Sequence, residues 1–395
     1  MDLSIYFNPV AIDEYGFFDS KIERLGHTIA VYNSEGSFPV LSQGIDIAIF
    51  GVEEERGSNH SKGCSLAPNA VRKYLYNLTL HNKTVKIVDL GNLKIGDKLA
   101  DTFVATGEVV SELLQMRVLP IILGGSQDIT YGNYRGYENL GQIINVFNVD
   151  SQIDLGLVKN NNDIDSQTYL TKMICSEPNF LFNYTQVAHQ TYFVDKEALN
   201  MLDELYFDCY RLGVVQEKIQ DIEPLVRNAD MVTIDMSSVR QSDAPAANSP
   251  SPHGLYGEEL CAICRYAGMS DKLTSIGFYE MNPRFDVRGQ NAALIAHAIW
   301  YFIDGYLWRK NDFPYLDKEN YFKFFVSMNE GRNELIFHKS KKSERWWMEV
   351  PCRKDLQEKY IRHYLVPCSY EDYVTATENN KIPDRWFKAF NKISI

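Results

Sequence analysis

The feature that most constrains this chain is a repeated alternation of short apolar, β-branched runs with longer stretches of helical periodicity. Residues 45–52 (IDIAIFGV) read as a buried strand, and 67–78 follow as a helix with Pro68 in its first turn. Residues 85–90 read as a strand, 97–116 as a long amphipathic helix, 118–123 as a strand running into Gly124-Gly125, and 143–149 as another strand. Segments 192–194, 209–212, 231–235 and 275–280 continue the series. Such a pattern predicts right-handed βαβ units, hence a three-layer α/β fold with a central parallel sheet flanked by helices. Ligands meet such sheets at the carboxyl ends of the strands. The polar residues after Leu123, Val149, Ile234 and Tyr279 are therefore the places to look for chemistry.

Near Asn311 the pattern changes. Residues 321–351 alternate apolar and polar positions through KFFVSM, NEGRN, ELIFHKS and RWWMEVP, which predicts a small three-stranded antiparallel meander. A helical or loop tail, SYEDYVTATENNKIPDRWFKAF, follows it. The expected division is an α/β domain over 1–310 and a C-terminal antiparallel β/α extension over 311–395. The extension holds 16 aromatics in 85 residues, too many for a disordered tail. Those rings either form a docking surface for a protein partner or pack the extension onto the main domain; packing is the simpler reading.

Charge and composition exclude several classes. A net charge of −12 argues against a nucleic-acid binder held by phosphate contacts. No window approaches ~18 consecutive apolar residues, so no membrane span is expected. The segment MDLSIYFNPVAIDEYGFF lacks a basic stretch followed by an apolar core, and seven irregularly spaced cysteines do not resemble a disulfide framework. A reducing cytoplasm is the expected compartment. Cys261 and Cys264 have CxxC spacing, yet no second pair or nearby HxxxH completes a zinc site. They read as two buried cysteines on one face of a helix.

Segments at the strand ends resemble the arginase (ureohydrolase) superfamily, in that family's order. Gly124-Gly125-Ser126-Gln127 stands where the family has Gly-Gly-Asp-His, and Asp150-Ser151-Gln152-Ile153-Asp154 where it has Asp-Ala-His-x-Asp. Thr233-Ile234-Asp235-Met236-Ser237-Ser238-Val239-Arg240 matches Ser-x-Asp-x-Asp-x-x-Asp and runs on to Pro252-His253-Gly254-Leu255 and Glu259. Glu280-Met281-Asn282-Pro283-Arg284-Phe285-Asp286 matches Glu-x-Asn-Pro-x-x-Asp. Gly51 through Gly63 to Pro68-Asn69-Ala70-Val71-Arg72 matches an earlier loop and helix. The resemblance spans roughly residues 45–305. Asn248 through Leu255, and Ser166-Gln167-Thr168-Tyr169 where arginases carry a catalytic histidine, are closer to formimidoylglutamases.

The resemblance implies hydrolysis of a guanidinium or amidine carbon by a water bridging two Mn²⁺ ions, held by two histidines and four aspartates. Carried over position by position, Asp150, Asp154 and Asp235 are kept, Gln127 and Gln152 replace the histidines, and Ser237 replaces the fourth aspartate. Amide oxygens suit Mn²⁺ less well than imidazole, and half the ligand set is gone. The expectation is a non-catalytic binding or scaffold protein with no metal pair. The alternatives are an active, Mn²⁺-dependent C–N hydrolase of linear amidines such as formimidoylglutamate, and a small-ligand sensor.

Three buried carboxylates need compensation. Arg240, in place of a family aspartate, is the candidate to bridge Asp235 and Asp150, or else it points to solvent. Asp128 either joins Asp150, Asp154 and Asp235 around one oxygen-ligated Mg²⁺, Ca²⁺ or Mn²⁺ ion, or caps a helix. Of the eight histidines (27, 60, 81, 189, 253, 297, 338 and 363), His189 and His253 are the candidates to replace a lost ligand. Glu280 corresponds to a glutamate beside the substrate, and Ser166 to the catalytic-histidine position. The family's trimers and hexamers make a homo-oligomer the expectation, unless the extension replaces that contact with a different partner.

Overall fold

The structure is a computed structural model; it describes residues 1–16, 21–41, 44–59, 62–82, 84–157, 164–314, 318–328 and 333–394. Among these, ten strands form the main sheet. In chain order they are β1 (Phe7–Asn8), β2 (Ala30–Val31), β3 (Ile47–Val52), β4 (Ile87–Leu93), β5 (Leu119–Leu123), β6 (Ile144–Val149), β7 (Leu181–His189), β8 (Asp208–Arg211), β9 (Met231–Asp235) and β10 (Ser275–Tyr279). Their spatial order is β1-β4-β3-β5-β10-β9-β6-β7-β8, with β2 beside β4. Only β1 pairs antiparallel; the other pairings are parallel.

Alternation along the strands separates two apolar layers. In β3, Ile47 and Ile49 join one cluster with Val71, Leu75, Leu260 and Phe302, while Ala48, Phe50 and Val52 join another with Phe103, Val110 and Tyr134. Helices Ala67–Leu75, Gly257–Gly268 and Gln290–Tyr306 cover the first face, and Leu99–Gln115 and Ile129–Asn139 the second. Cys261 and Cys264 are both buried in the helix Gly257–Gly268, as their spacing implied. The fully buried Arg72 anchors its helix by a forked pair with Asp89 on β4, at 2.8 and 2.9 Å.

The longest strand, β7, escaped the sequence reading, which placed a strand over 192–194 instead. That segment lies in a 3₁₀ turn, Thr191–Phe193. The cause is buried polarity: Asn183, Thr185 and Gln186 interrupt the apolar run. Gln186 is satisfied by the carbonyls of Asp150 and Gln152 at 3.0 and 2.8 Å, so the interior tolerates it.

The C-terminal region forms a separate antiparallel sheet, ordered β11 (Tyr321–Met328), β12 (Asn333–Ser340), β13 (Trp346–Glu349) and β14 (Leu365–Cys368). Its first three strands match the expected meander; most of the NEGRN turn lies outside the described residues. The fourth strand was not foreseen. It carries Pro367, which an edge strand accommodates because its outward side needs no ladder hydrogen bond. Trp346, Trp347, Phe337 and Trp386 are buried, whereas Phe322, Phe325, Tyr370 and Phe387 are exposed. Buried Asp230 at the foot of β9 clamps the two regions: it takes Arg362 at 2.6 Å, Lys272 at 3.5 Å and the Asn145 amide at 2.9 Å. No helix among the described residues is long and apolar enough to cross a membrane.

Candidate functional site

The chain leaves β5 for β6 across a gap that β9 and β10 later fill. The carboxyl ends of these four strands therefore meet, although they come from residues over 150 apart. Each end delivers one of the polar segments singled out in the sequence. Gly124 and Gly125 follow β5 because an added Cβ would drive into the Tyr279 ring and the Glu54 carbonyl. Glu280 follows β10 at φ +60°, a left-handed conformation that costs a non-glycine residue about 1–3 kcal/mol. This strained backbone turns its carboxylate inward. It accepts the Gln127 amide at 2.8 Å, the Ser58 hydroxyl at 3.4 Å and the Asn248 side chain.

Asp150, Gln152, Asp154, Ser166, Asp235, Ser237 and Glu280 surround one cavity, joined by Gln167, Asn248 and Ser249. Its volume is about 20 Å³, room for a single water. Asp150 Oδ1 accepts the Gln152 amide at 2.9 Å and the Ser237 hydroxyl at 3.2 Å. Asp235 accepts the Ser237 amide at 2.6 Å, which caps a 3₁₀ turn. Burial and the neighbouring carboxylates raise Asp150, Asp154 and Asp235 well above the usual carboxylate range. Asp150 is raised by Asp154 beside it, and Asp154 by Asp235, so the three carboxylates oppose one another's ionisation. Glu280 is raised to about 8 by burial and by Asp235.

Five residues stand elsewhere than the sequence placed them. Gln127 is fully buried but does not line the cavity: its amide nitrogen donates to Thr233 at 3.1 Å, Asn148 at 3.2 Å and Tyr169 at 3.4 Å. Arg240 does not bridge the carboxylates. It pairs with Asp243 at 3.0 Å and stacks on Tyr256 at 3.9 Å, because its chain turns outward where Val239 and Arg240 bridge to Leu255 and Ser251. Asp128 neither lines the cavity nor caps its helix through its side chain. The single-ion set of Asp128, Asp150, Asp154 and Asp235 is therefore not assembled around one cavity. Neither candidate histidine lines it: His189 contacts Cys209 Sγ at 3.4 Å, and His253 is exposed. His60 lies outside the described residues. Among the described residues, no group of three or more His, Cys, Asp or Glu is arranged to hold a metal ion.

Asp128 does report on the site's electrostatics. Its carboxyl is packed against Gly57 with the Ser126 side chain beside it, and burial raises it to about 8. The folded pKa exceeds the unfolded one, so the stabilisation is complete below about pH 4 and is lost as pH rises through about 8. The melting temperature of the wild type should fall between pH 6 and 9. Asp128→Asn, which cannot ionise, should sit roughly 2 °C above it at pH 9 after normalisation at pH 6. Calorimetry across that range checks this, and parallel curves would refute it.

Asn248, Ser249 and Gln167 are lining residues that motif reasoning did not single out as site groups. They come from connecting loops, and only the branch-specific pattern around them hinted at a place near the site.

Residues 45–304 match the Arginase family model. Among curated proteins, the chain is similar to formimidoylglutamase of Corynebacterium efficiens, 25% identical over 272 residues covering 68% of this chain and 86% of that one. Formimidoylglutamase of Photorhabdus laumondii is 26% identical over 274 residues, covering 64% and 84%. Among solved structures, formimidoylglutamase of Bacillus subtilis superposes with TM-score 0.65 at 19% identity, over 76% of this chain and 99% of that one. Trypanosoma cruzi formiminoglutamase with Mn²⁺ gives 0.62 at 18%, over 76% and 100%. The family match covers most of the chain and falls on the strands and loops that build the cavity: the protein belongs to the arginase family.

Proposed function

We propose that the strand-end site no longer supports the Mn²⁺ pair of its relatives, and that the protein is a non-catalytic member of the family that binds rather than hydrolyses. The donor set carries this reading. Of the six positions that correspond to metal ligands, Gln127, Gln152 and Ser237 offer only neutral donors, and Gln127 is tied by hydrogen bonds to Asn148 and Thr233 in the sheet and to Tyr169. Two adjacent dications need several charged carboxylates to offset their repulsion, with imidazoles to set geometry. Here burial holds three aspartates toward their neutral forms, and the space between them is one water wide. These residues do not fit a Mn²⁺ pair. Protein purified from Mn²⁺-supplemented cells should carry well under one Mn per chain by elemental analysis. Two per chain would end the proposal.

The second reading, an active C–N hydrolase of linear amidines, is favoured by the comparisons: the relatives reported above are formimidoylglutamases. The same acidic residues, Asp150, Asp154, Asp235 and Glu280, would face such a substrate. Formamide release from N-formimidoyl-L-glutamate in the presence of Mn²⁺ decides between the two. The binding reading expects a rate equal to the protein-free control. Turnover that disappears in Asp235→Asn would establish the hydrolase.

A further inference from the structure

A second cavity lies away from the strand-end site, in the helical layer that covers the first face of the sheet. It is a groove of about 610 Å³ between the helices Gly257–Gly268 and Gln290–Tyr306. Its volume falls in the range of small-molecule sites, and its lining has their composition, apolar and aromatic with a few polar groups. Leu294, the rings of Tyr266, His297 and Tyr301, and the buried Cys261 line it. Small residues on both helices, Gly257 and Ala262 on one and Ala293 on the other, keep it open.

The polar groups in this groove are not consumed by the fold. Among the described residues, the phenol oxygens of Tyr266 and Tyr301 and the ring nitrogens of His297 make no hydrogen bond, and Glu258 makes neither a hydrogen bond nor an ion pair. By contrast, Arg265 is already paired with Asp304 at 3.0 Å and Asp243 with Arg240 at 3.0 Å. The charge left over in the lining is thus the Glu258 carboxylate. We propose that this groove is a binding site for a small organic cation with an aromatic body, an arylalkylamine, seated ring-first between Tyr266 and Tyr301 with its ammonium on Glu258. Tyrosine rings stack on an aryl ring, and the Glu258 carboxylate can accept a charge-assisted hydrogen bond from the ammonium. A carboxylate-bearing ligand of the same shape would meet Glu258 with like charge.

Isothermal titration of the full chain with phenethylamine, and separately with phenylacetate, tests the proposal. Saturable one-to-one binding of phenethylamine is expected, with no heat from phenylacetate. Glu258→Gln, at an exposed position, should weaken phenethylamine about fivefold. Ala293→Trp, which fills the groove, should abolish the binding while leaving far-ultraviolet circular dichroism unchanged. Equal binding of phenylacetate, no binding of the amine at millimolar concentration, or full affinity in Ala293→Trp would each overturn it. The last result would place the amine elsewhere, including at the acidic strand-end cavity. If Ala293→Trp misfolds, Glu258→Gln and the two probes still decide.

Discussion

If the site has lost its metal pair as proposed, restoring the donors by Gln127→His, Gln152→His and Ser237→Asp together should create Mn²⁺ affinity that the wild type is expected to lack. The wild-type cavity keeps three aspartates whose charge is suppressed by burial and by one another. A dication reverses that balance: it favours the ionised forms and offsets the repulsion among the three carboxylates. The variant adds one carboxylate and two imidazoles to the same strand ends, β5, β6 and β9, that already hold the rest. At a Mn²⁺ concentration 100 times its dissociation constant, the folded state gains about 2.7 kcal/mol. For a chain of this size that corresponds to about 3 °C in melting temperature, whereas Mn²⁺ should leave the wild type unmoved. Elemental analysis gives the stoichiometry. A triple variant that gains neither metal nor thermal shift would mean that the packing around residue 127, and not the donor types alone, forbids the site. Formamide release by that variant, with none from the wild type, would identify the missing donors as what separates the two.

Asp230→Ala should cost about 3–5 kcal/mol, the loss expected when a buried ion pair loses one partner. Asp230 is fully buried, yet Lys272 and Arg362 hold it below the usual carboxylate range against the cost of burial. Removing it strands the buried Lys272 ammonium and the Arg362 guanidinium, and frees the Asn145 amide. Arg362 belongs to the C-terminal region, so the loss should also loosen β11–β14 from the main sheet. Limited proteolysis should then release a fragment from the C-terminal side of residue 310 sooner than in the wild type. The pH dependence has the opposite sign to that of Asp128. A depressed folded pKa gives stabilisation that is present above the unfolded value near 4 and is lost as pH falls through the folded value. Acid should therefore undock the extension in the wild type and do little more in Asp230→Ala. A variant with unchanged melting temperature and proteolysis would show that the clamp contributes nothing.

The apolar periods in the sequence located seven of the main strands, with β9 spanning the same residues as read and the others within a few. They did so because six of the seven are buried along their length, and such strands must be largely apolar. β7 was lost to its buried Asn183, Thr185 and Gln186, and Pro367 hid β14 in the extension, since local patterns cannot register a hydrogen bond to a distant partner. The site was half legible. Motif order named Asp150, Gln152, Asp154, Asp235, Ser237, Glu280 and Ser166, and all seven line one cavity. Residue types alone fixed that the two histidines and one aspartate of the family pattern are missing.

Only the tertiary structure decided where side chains point. Sequence spacing gave Arg240 and Asp128 a place among the carboxylates; the fold sends Arg240 to Asp243 and Tyr256, and buries Asp128 beside Gly57. The physical reason is the same in both cases. A period of two or 3.6 sets which face a residue occupies, but the partner that neutralises a charge is chosen by chain crossings between strands far apart in sequence. The insertion of β9 and β10 between β5 and β6 is such a crossing, and it determines what the acidic residues meet.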